Sequence, residues 1–238
     1  MVSFIIPAYN EERWLGPTLL ALQAAGRATG EPYEVIVVDD ASTDGTAALA
    51  ETHGARVVRV AHRQIAATRN AGAREAKGDR FIFVDADTIV NEAVVRAALD
   101  ALHGGAVGGG SEVRFDGNLP LYARILIPLN VRLFRLARLS AGCFLFCTRP
   151  AFEAIGGFDE RLYGSEEIAM SRALKGQGKM VILREAVTTS GRKLRAHSGW
   201  ELLRVMGSMA LRGSKSVQSR ERMAIWYEER RDDPGSSP

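Results

Sequence analysis

The sequence predicts an α/β domain: a mixed, mostly parallel sheet with helices on both faces, followed by a helical C-terminal extension. Three observations carry this reading. Short runs of aromatic and β-branched residues alternate with amphipathic stretches in the order βαβαβαβ up to Val84. Strands separated by helices of about 10–15 residues imply parallel pairing through right-handed crossovers. Acidic and polar residues also gather directly after several strands, at the edge where open parallel sheets bind ligands.

Residues 2–6 read as the first strand, stopped by Pro7, and residues 12–26 as a helix with a stripe of Leu15, Leu19, Leu20 and Leu22. A strand at 34–38, a helix at 43–52, a strand at 56–60 and a helix at 65–76 follow. Residues 81–84, Phe-Ile-Phe-Val, then form a core strand that delivers Asp85-Ala86-Asp87 to a surface. With one residue between them, the two carboxylates can point the same way. Two hard oxygen ligands suit Mg²⁺ or Mn²⁺ carrying a phosphate-bearing substrate. The competing reading is that one Asp caps the helix starting near Asn91.

Composition is that of an ordinary globular chain, with 46% hydrophobic and 25% charged residues over 238 positions. The net charge of +3 hides an asymmetry: residues 1–118 carry −5, residues 119–220 carry +10 and the tail −2. An acidic half beside a basic half fits a phosphate-rich ligand held between them, or an anionic membrane touched by the second half. No nucleic-acid-binding module is recognisable, so nucleic acid is not expected as a partner. Cys143 and Cys147, four apart on an expected strand, are too distant to bridge and read as buried thiols of a reducing, cytoplasmic compartment. Neither a signal peptide nor a membrane-spanning run is visible.

The post-strand loops are Pro7-Ala8-Tyr9-Asn10-Glu11, Asp39-Asp40-Ala41-Ser42-Thr43-Asp44-Gly45 and Asp85-Ala86-Asp87. Ser42 or Asp44 can cap the next helix, which leaves Asp39 and Asp40 for ribose, base or metal contact. Arg69 can reach a phosphate or stand as a surface arginine. The glycine-rich run 104–110 lacks the spacing of a dinucleotide fingerprint and reads as a glycine-lined strand near the sugar pocket.

Val-Ser-Phe-Ile-Ile-Pro-Ala-Tyr-Asn-Glu, Val-Val-Asp-Asp-Ala-Ser-Thr-Asp-Gly-Thr, Arg-Asn-Ala-Gly and Val-Asp-Ala-Asp, in this order and spacing, resemble the family 2 glycosyltransferases of GT-A fold. The likeness covers residues 2 to 110 and resumes at 141–177. It implies an inverting enzyme that takes a sugar from a nucleoside diphosphate sugar, UDP- or GDP-linked, with Mg²⁺ or Mn²⁺. By the resemblance Pro7, Tyr9, Glu11 and Asp40 surround the nucleoside; Asp39, Arg69 and Ala86 are expected at the same donor site. Asp85 and Asp87 hold the metal and diphosphate, Asp87 most directly. A rival reading within enzymes, a sugar-phosphate nucleotidyltransferase, would need a glycine-rich basic loop after the first strand, and residues 7–11 are not one.

Residues 119–139 read as a basic amphipathic helix kinked at Pro128, with Arg124, Arg132, Arg135 and Arg138 on one side and Leu126, Leu129, Leu133 and Leu136 on the other. It either packs its leucines on the core with a solvated arginine face, or lies on anionic lipid beside a lipid-linked acceptor. After a strand at 141–148, Ser165 would cap a helix whose first turn carries Glu166 and Glu167. In the resembling family a Gly-Gly-Phe-Asp-Glu segment leads to a Glu-Asp pair whose second carboxylate is the general base. Here the pair is Glu166-Glu167, so Glu167 is the expected base and Glu166 the second choice. Past a strand at 180–183, Arg192, Lys193 and Arg195 read as a solvated basic loop or as cations steadying the departing diphosphate, and His197 as a metal ligand by the same resemblance. The expected division is a domain over 1–185, in halves 1–110 and 111–185, then 186–238 with a basic loop, a helix at 200–213 and a loose tail. The Glu-Glu substitution motivates an alternative, a degenerate protein that binds nucleotide sugar or lipid without turnover.

Overall fold

The computed structural model describes residues 1–196; His197, the helix expected at 200–213 and the tail lie outside the described residues. One eight-stranded sheet organises the described chain. Its strands are β1 (Val2–Ala8), β2 (Tyr33–Asp40), β3 (Arg56–Val60), β4 (Arg80–Val84), β5 (Thr88–Ile89), β6 (Gly108–Phe115), β7 (Phe144–Thr148) and β8 (Met180–Thr189). Their spatial order is β3-β2-β1-β4-β7-β6-β8-β5. The β3-β2-β1-β4 half is parallel, β7 runs antiparallel to β4 and β6, and β8 lies parallel to β6. This is the mixed, mostly parallel sheet that the sequence predicts.

Both faces are buried, for a reason visible in the alternation along each strand. Phe4, Ile6, Val37, Ile82, Val84, Phe144 and Phe146 join one core with Leu15, Leu19 and Leu22 of α1 (Glu12–Thr29) and Val94, Val95 and Leu99 of α4 (Glu92–His103). The intervening Ile5, Ile36, Val38, Phe81, Phe83 and Leu145 join the other. That second core takes α3 (Ile65–Glu75), α6 (Arg149–Ala154) and α7 (Glu166–Gln177). Period-two side-chain direction in a strand, repeated across neighbours in register, produces two cores from one sheet.

Several boundaries differ from the sequence expectations. Pro7 lies inside β1, not at its end: β1 pairs with β4 only as far as Ile5, so beyond it the missing N–H breaks no ladder on that side. Asp39 and Asp40 are the last residues of β2, not loop residues. α2 (Thr46–Thr52) begins later than expected, because Asp44 turns back to accept from the Thr46 N–H at 3.0 Å and from the Glu12 N–H at 3.2 Å. The helix-cap alternative for the Asp85-Ala86-Asp87 turn fails, since Asn91 itself caps α4 by accepting from the Val94 N–H. β8 runs on through Thr189, well past residue 183, where that strand was expected to end.

Of the glycine run expected as a strand, only Gly108, Gly109 and Gly110 enter β6, while Gly104 ends α4 and Gly105 lies in the following turn; close packing within the sheet accounts for the strand glycines. A Cβ at Gly109 would stand 2.0 Å from the Val181 carbonyl oxygen and 2.5 Å from the Phe146 ring. α5 (Leu121–Leu136) carries Pro128 and inverts the core-packing expectation. It rests on the protein through Ala123, while Ile125, Leu129 and Leu136 are 64%, 67% and 82% exposed. Arg124 and Arg132 are exposed beside them, and Arg135 is drawn into an ion pair with Glu112 at 2.6 Å. The leucines therefore face outward.

Candidate active site

The carboxyl ends of β2, β1 and β4 form one rim, and hydrogen bonds lock its loops together. The Asn10 N–H donates to Ser42 Oγ at 3.0 Å, the Thr43 N–H to Asn10 Oδ1 at 2.8 Å and the Glu11 N–H to Thr46 Oγ1 at 2.8 Å. From α1, Thr18 Oγ1 donates to the Ala86 carbonyl at 2.9 Å, holding the acidic turn against the helix. Loops distant in sequence thus present their side chains to one edge.

On the β2 side the two aspartates do different things. Asp40 accepts from the N–H groups of His62, Arg63 and Gln64 and from Thr68 Oγ1, at 2.7–3.1 Å. Four donors use the capacity of a carboxylate, so the expected nucleoside contact by Asp40 is corrected to a role in shaping the loop between β3 and α3. Among the described residues, Oδ1 of buried Asp39 has no hydrogen-bond partner, an acceptor that a ligand N–H or O–H could satisfy. The loop held by Asp40 lays the Arg63 guanidinium over the Tyr9 ring, 3.6 Å from its centroid. Pro7 lies half-buried in β1, within the same rim.

The acidic turn is divided between two arginines. Asp85 pairs with Arg69 Nη2 at 2.8 Å, and Asp87 with Arg192 Nη2 at 2.9 Å. Arg69 is no surface arginine: it is 1% exposed and donates also to Glu166 at 2.7 Å and to the Gly142 carbonyl at 2.9 Å. Burial opposes its charge, but Asp85 and Glu166 overcome that and keep it ionised. Its place beneath the turn turns the expected phosphate contact into an internal tie. Buried Cys143, whose carbonyl accepts the Asp85 N–H at 3.2 Å, has its thiol held well above its ordinary range by burial and by Asp85 and Asp87.

The Glu166-Glu167 pair reaches the rim at the start of α7. Ser165 does not cap that helix; its backbone is left-handed, φ 58°, and its side chain makes no capping bond. Glu166 is committed to Arg69. Glu167 lies by Gly142, where an added Cβ would stand 3.5 Å from Glu167 Cδ and 3.6 Å from Arg69 Nη2. Burial and then the charge of Glu166 raise the Glu167 carboxyl to about 8, so that once ionised it is a stronger base than an ordinary carboxylate.

The later cations also separate. Arg192 opens α8 (Arg192–Ala196) and grips Glu11 with both terminal nitrogens, at 3.1 and 2.8 Å. Burial would weaken its charge, but the Glu11 hydrogen bonds with the charges of Asp87, Glu11 and Asp85 strengthen it. Arg195 instead binds Asp116, through the carbonyl at 2.7 Å and Oδ1 at 3.2 Å, and so pins the loop before α5. Lys193 lies within α8.

For Mg²⁺ or Mn²⁺ the donor chemistry fits: Glu11 and Asp87 supply hard oxygens around one guanidinium, with Asp85 close by. Among the described residues no three His, Cys, Asp or Glu side chains stand grouped as ready ligands, because Asp85 and Asp87 face different arginines. Sequence reasoning missed Arg63, although it follows β3 and the rule that ligand residues follow strands would have found it. It also missed the Glu11–Arg192 pair, which joins positions 181 apart and carries no local signal.

The family model described as "Glycosyl transferase family 2" matches residues 3–155. Undecaprenyl-phosphate 4-deoxy-4-formamido-L-arabinose transferase of Pseudomonas fluorescens (strain Pf0-1) is 36% identical over 156 residues, covering 60% of this chain and 45% of that protein. The Pseudomonas paraeruginosa transferase of the same name is 41% identical over 95 residues, 37% of this chain and 28% of its own length. The chain thus spans less than half of these relatives. Mannosyltransferase PcManGT from Pyrobaculum calidifontis, solved with GDP-Man and Mn²⁺, superposes with a TM-score of 0.69 at 19% identity over 93% of this chain and 64% of that one. S. aureus TarS 1-349 with UDP-GlcNAc gives 0.65 at 18% identity over 94% and 70%. At such identities these likenesses establish the fold alone.

Proposed function

Since the chain belongs to glycosyl transferase family 2, we propose that it moves a sugar from a UDP- or GDP-sugar to the hydroxyl of a lipid-linked acceptor, with inversion. One observation carries the reading: a single buried guanidinium, Arg69, joins the acidic turn at Asp85 to Glu166, the neighbour of Glu167. The diphosphate end and the proton-accepting end of a displacement are thereby fixed to each other.

Tyr9 and Asp39 would receive the nucleoside, and Asp87 with Glu11, and Asp85 close by, would hold Mg²⁺ or Mn²⁺, whose charge would neutralise the diphosphate. Glu167 takes the acceptor proton on the side away from the leaving group, as an inverting displacement requires. Arg192 and Lys193 steady the departing diphosphate. Arg195, spent on Asp116, holds their segment in place.

The outward leucines of α5, flanked by Arg124 and Arg132, support contact with the inner face of an anionic membrane. Among the described residues no helix is long and apolar enough to cross one. The names of the undecaprenyl-phosphate relatives favour the same acceptor class and a second reading, in which a lipid phosphate oxygen attacks directly. A phosphate is already anionic and needs no base.

Transfer assays with UDP- and GDP-sugars, Mn²⁺ and polyprenyl acceptors test the proposal. Asp87→Asn should abolish divalent-dependent transfer with the fold intact, and Glu167→Gln should lower transfer to hydroxyl acceptors by about 10²–10⁴-fold while sparing transfer to phosphate acceptors. Tight donor binding without turnover on any acceptor would refute it in favour of a binding protein. Leu129→Asp with Arg132→Glu should release the protein from phosphatidylglycerol vesicles in sedimentation, and unchanged sedimentation would remove the membrane contact.

A further inference from the structure

The position of Arg192 is unlike that of an arginine waiting for an anion. Its two terminal nitrogens are both committed to carboxylates, Nη1 to Glu11 Oε2 at 3.1 Å and Nη2 to Glu11 Oε1 at 2.8 Å and Asp87 Oδ2 at 2.9 Å. The three side chains are largely withdrawn from water, at 11%, 9% and 13% exposure for Arg192, Glu11 and Asp87. Two carboxylates so placed need a cation between them, because an unpaired charge out of water is costly. The guanidinium supplies one.

We infer that Arg192 is a resident cation that occupies the divalent-ion position of the donor-free protein and leaves it for the donor's diphosphate when the ion enters. The inference rests on the donor-site reading above and adds an order of events. A free dication must evict Arg192 from Glu11 and Asp87 and strand its charge. A dication arriving with a diphosphate gives Arg192 a new anionic partner as it takes the carboxylates.

The backbone around Arg192 is arranged for such a change. β8 ends at Thr189, whose hydroxyl pairs with that of Thr88 at 2.8 Å, and the Gly191 N–H is tied to Asp116 Oδ1 at 2.8 Å. Arg192 follows immediately, at the head of a five-residue helix. With both Gly191 and Arg195 anchored on Asp116, the side chain of Arg192 can change partners without moving the strand.

The test measures ion binding and not sugar transfer. Free Mn²⁺ is followed by its electron paramagnetic resonance signal while the full chain is titrated with Mn²⁺ alone, then with UDP or GDP present. Arg192→Ala should bind Mn²⁺ alone about tenfold more tightly than wild type. Arg192→Lys, which keeps the charge, should stay near wild type. Arg161→Ala removes an equal charge from an exposed pair with Asp159 and should change nothing. Nucleotide should tighten Mn²⁺ binding in wild type and narrow its gap to Arg192→Ala. Equal Mn²⁺ affinity in wild type, Arg192→Ala and Arg161→Ala would overturn the exchange while leaving the donor site standing. Absence of Mn²⁺ binding from every variant, even with UDP or GDP, would overturn both.

Discussion

Arg69 and Glu166, 97 positions apart, form an ion pair of 2.7 Å whose side chains are 2% and 6% exposed. The same guanidinium reaches Asp85, so a core interaction and a rim interaction share one group. Replacing Arg69 by Met should cost about 3–5 kcal/mol of stability, because Glu166 is left buried without its cation. Urea denaturation at neutral pH measures it. A variant as stable as wild type would show that the pair is dispensable for the fold.

Glu167 sets a pH dependence with a definite sign. As a base it must be ionised, so kcat/KM should fall as pH drops through its raised folded pKa, on a limb well above the ordinary carboxylate range. Stability runs the other way. Between the unfolded and folded pKa values the folded chain keeps a proton that the unfolded chain has released, so stability declines as pH rises across that window. Glu167→Gln should flatten this decline and lower hydroxyl transfer by about 10²–10⁴-fold. Paired denaturation and rate profiles from pH 5 to 9 distinguish the two effects.

Asp40 should prove structural. In Asp40→Asn the amide nitrogen cannot accept, and at least one of the four donors loses its partner at a cost of about 2–3 kcal/mol. Arg63 should then lose its fixed place over Tyr9. Hydrogen exchange at residues 62–64 should accelerate strongly in the variant, and unchanged protection there would contradict the role.

Gly109→Ala should be among the most damaging single methyl additions, at about 3 kcal/mol, because the new Cβ meets a carbonyl oxygen of the neighbouring strand. Gly176→Ala, where a Cβ meets nothing within 4 Å, is the matched control. Comparable midpoints for the two in denaturant would refute the packing argument.

The sequence alone determined the parallel half of the sheet, its helices and the placing of Asp85 and Asp87 on a rim, because these depend on local periodicity and on residues next to strand ends. Residues 3–155 carry the family pattern for the same reason. What each side chain does on the rim was decided only by the tertiary structure. Asp39 and Asp40 are neighbours in sequence, yet Asp40 is saturated by four donors and Asp39 keeps an oxygen without a partner among the described residues. Arg69 and Arg192 read alike as phosphate contacts, yet each is claimed by carboxylates from distant segments. The leucines of α5 have a core-like spacing and face outward, because the helix rests on Ala123 and turns Arg135 in toward Glu112. Periodicity states which residues share a face; which face meets the protein depends on partners that only folding brings within reach.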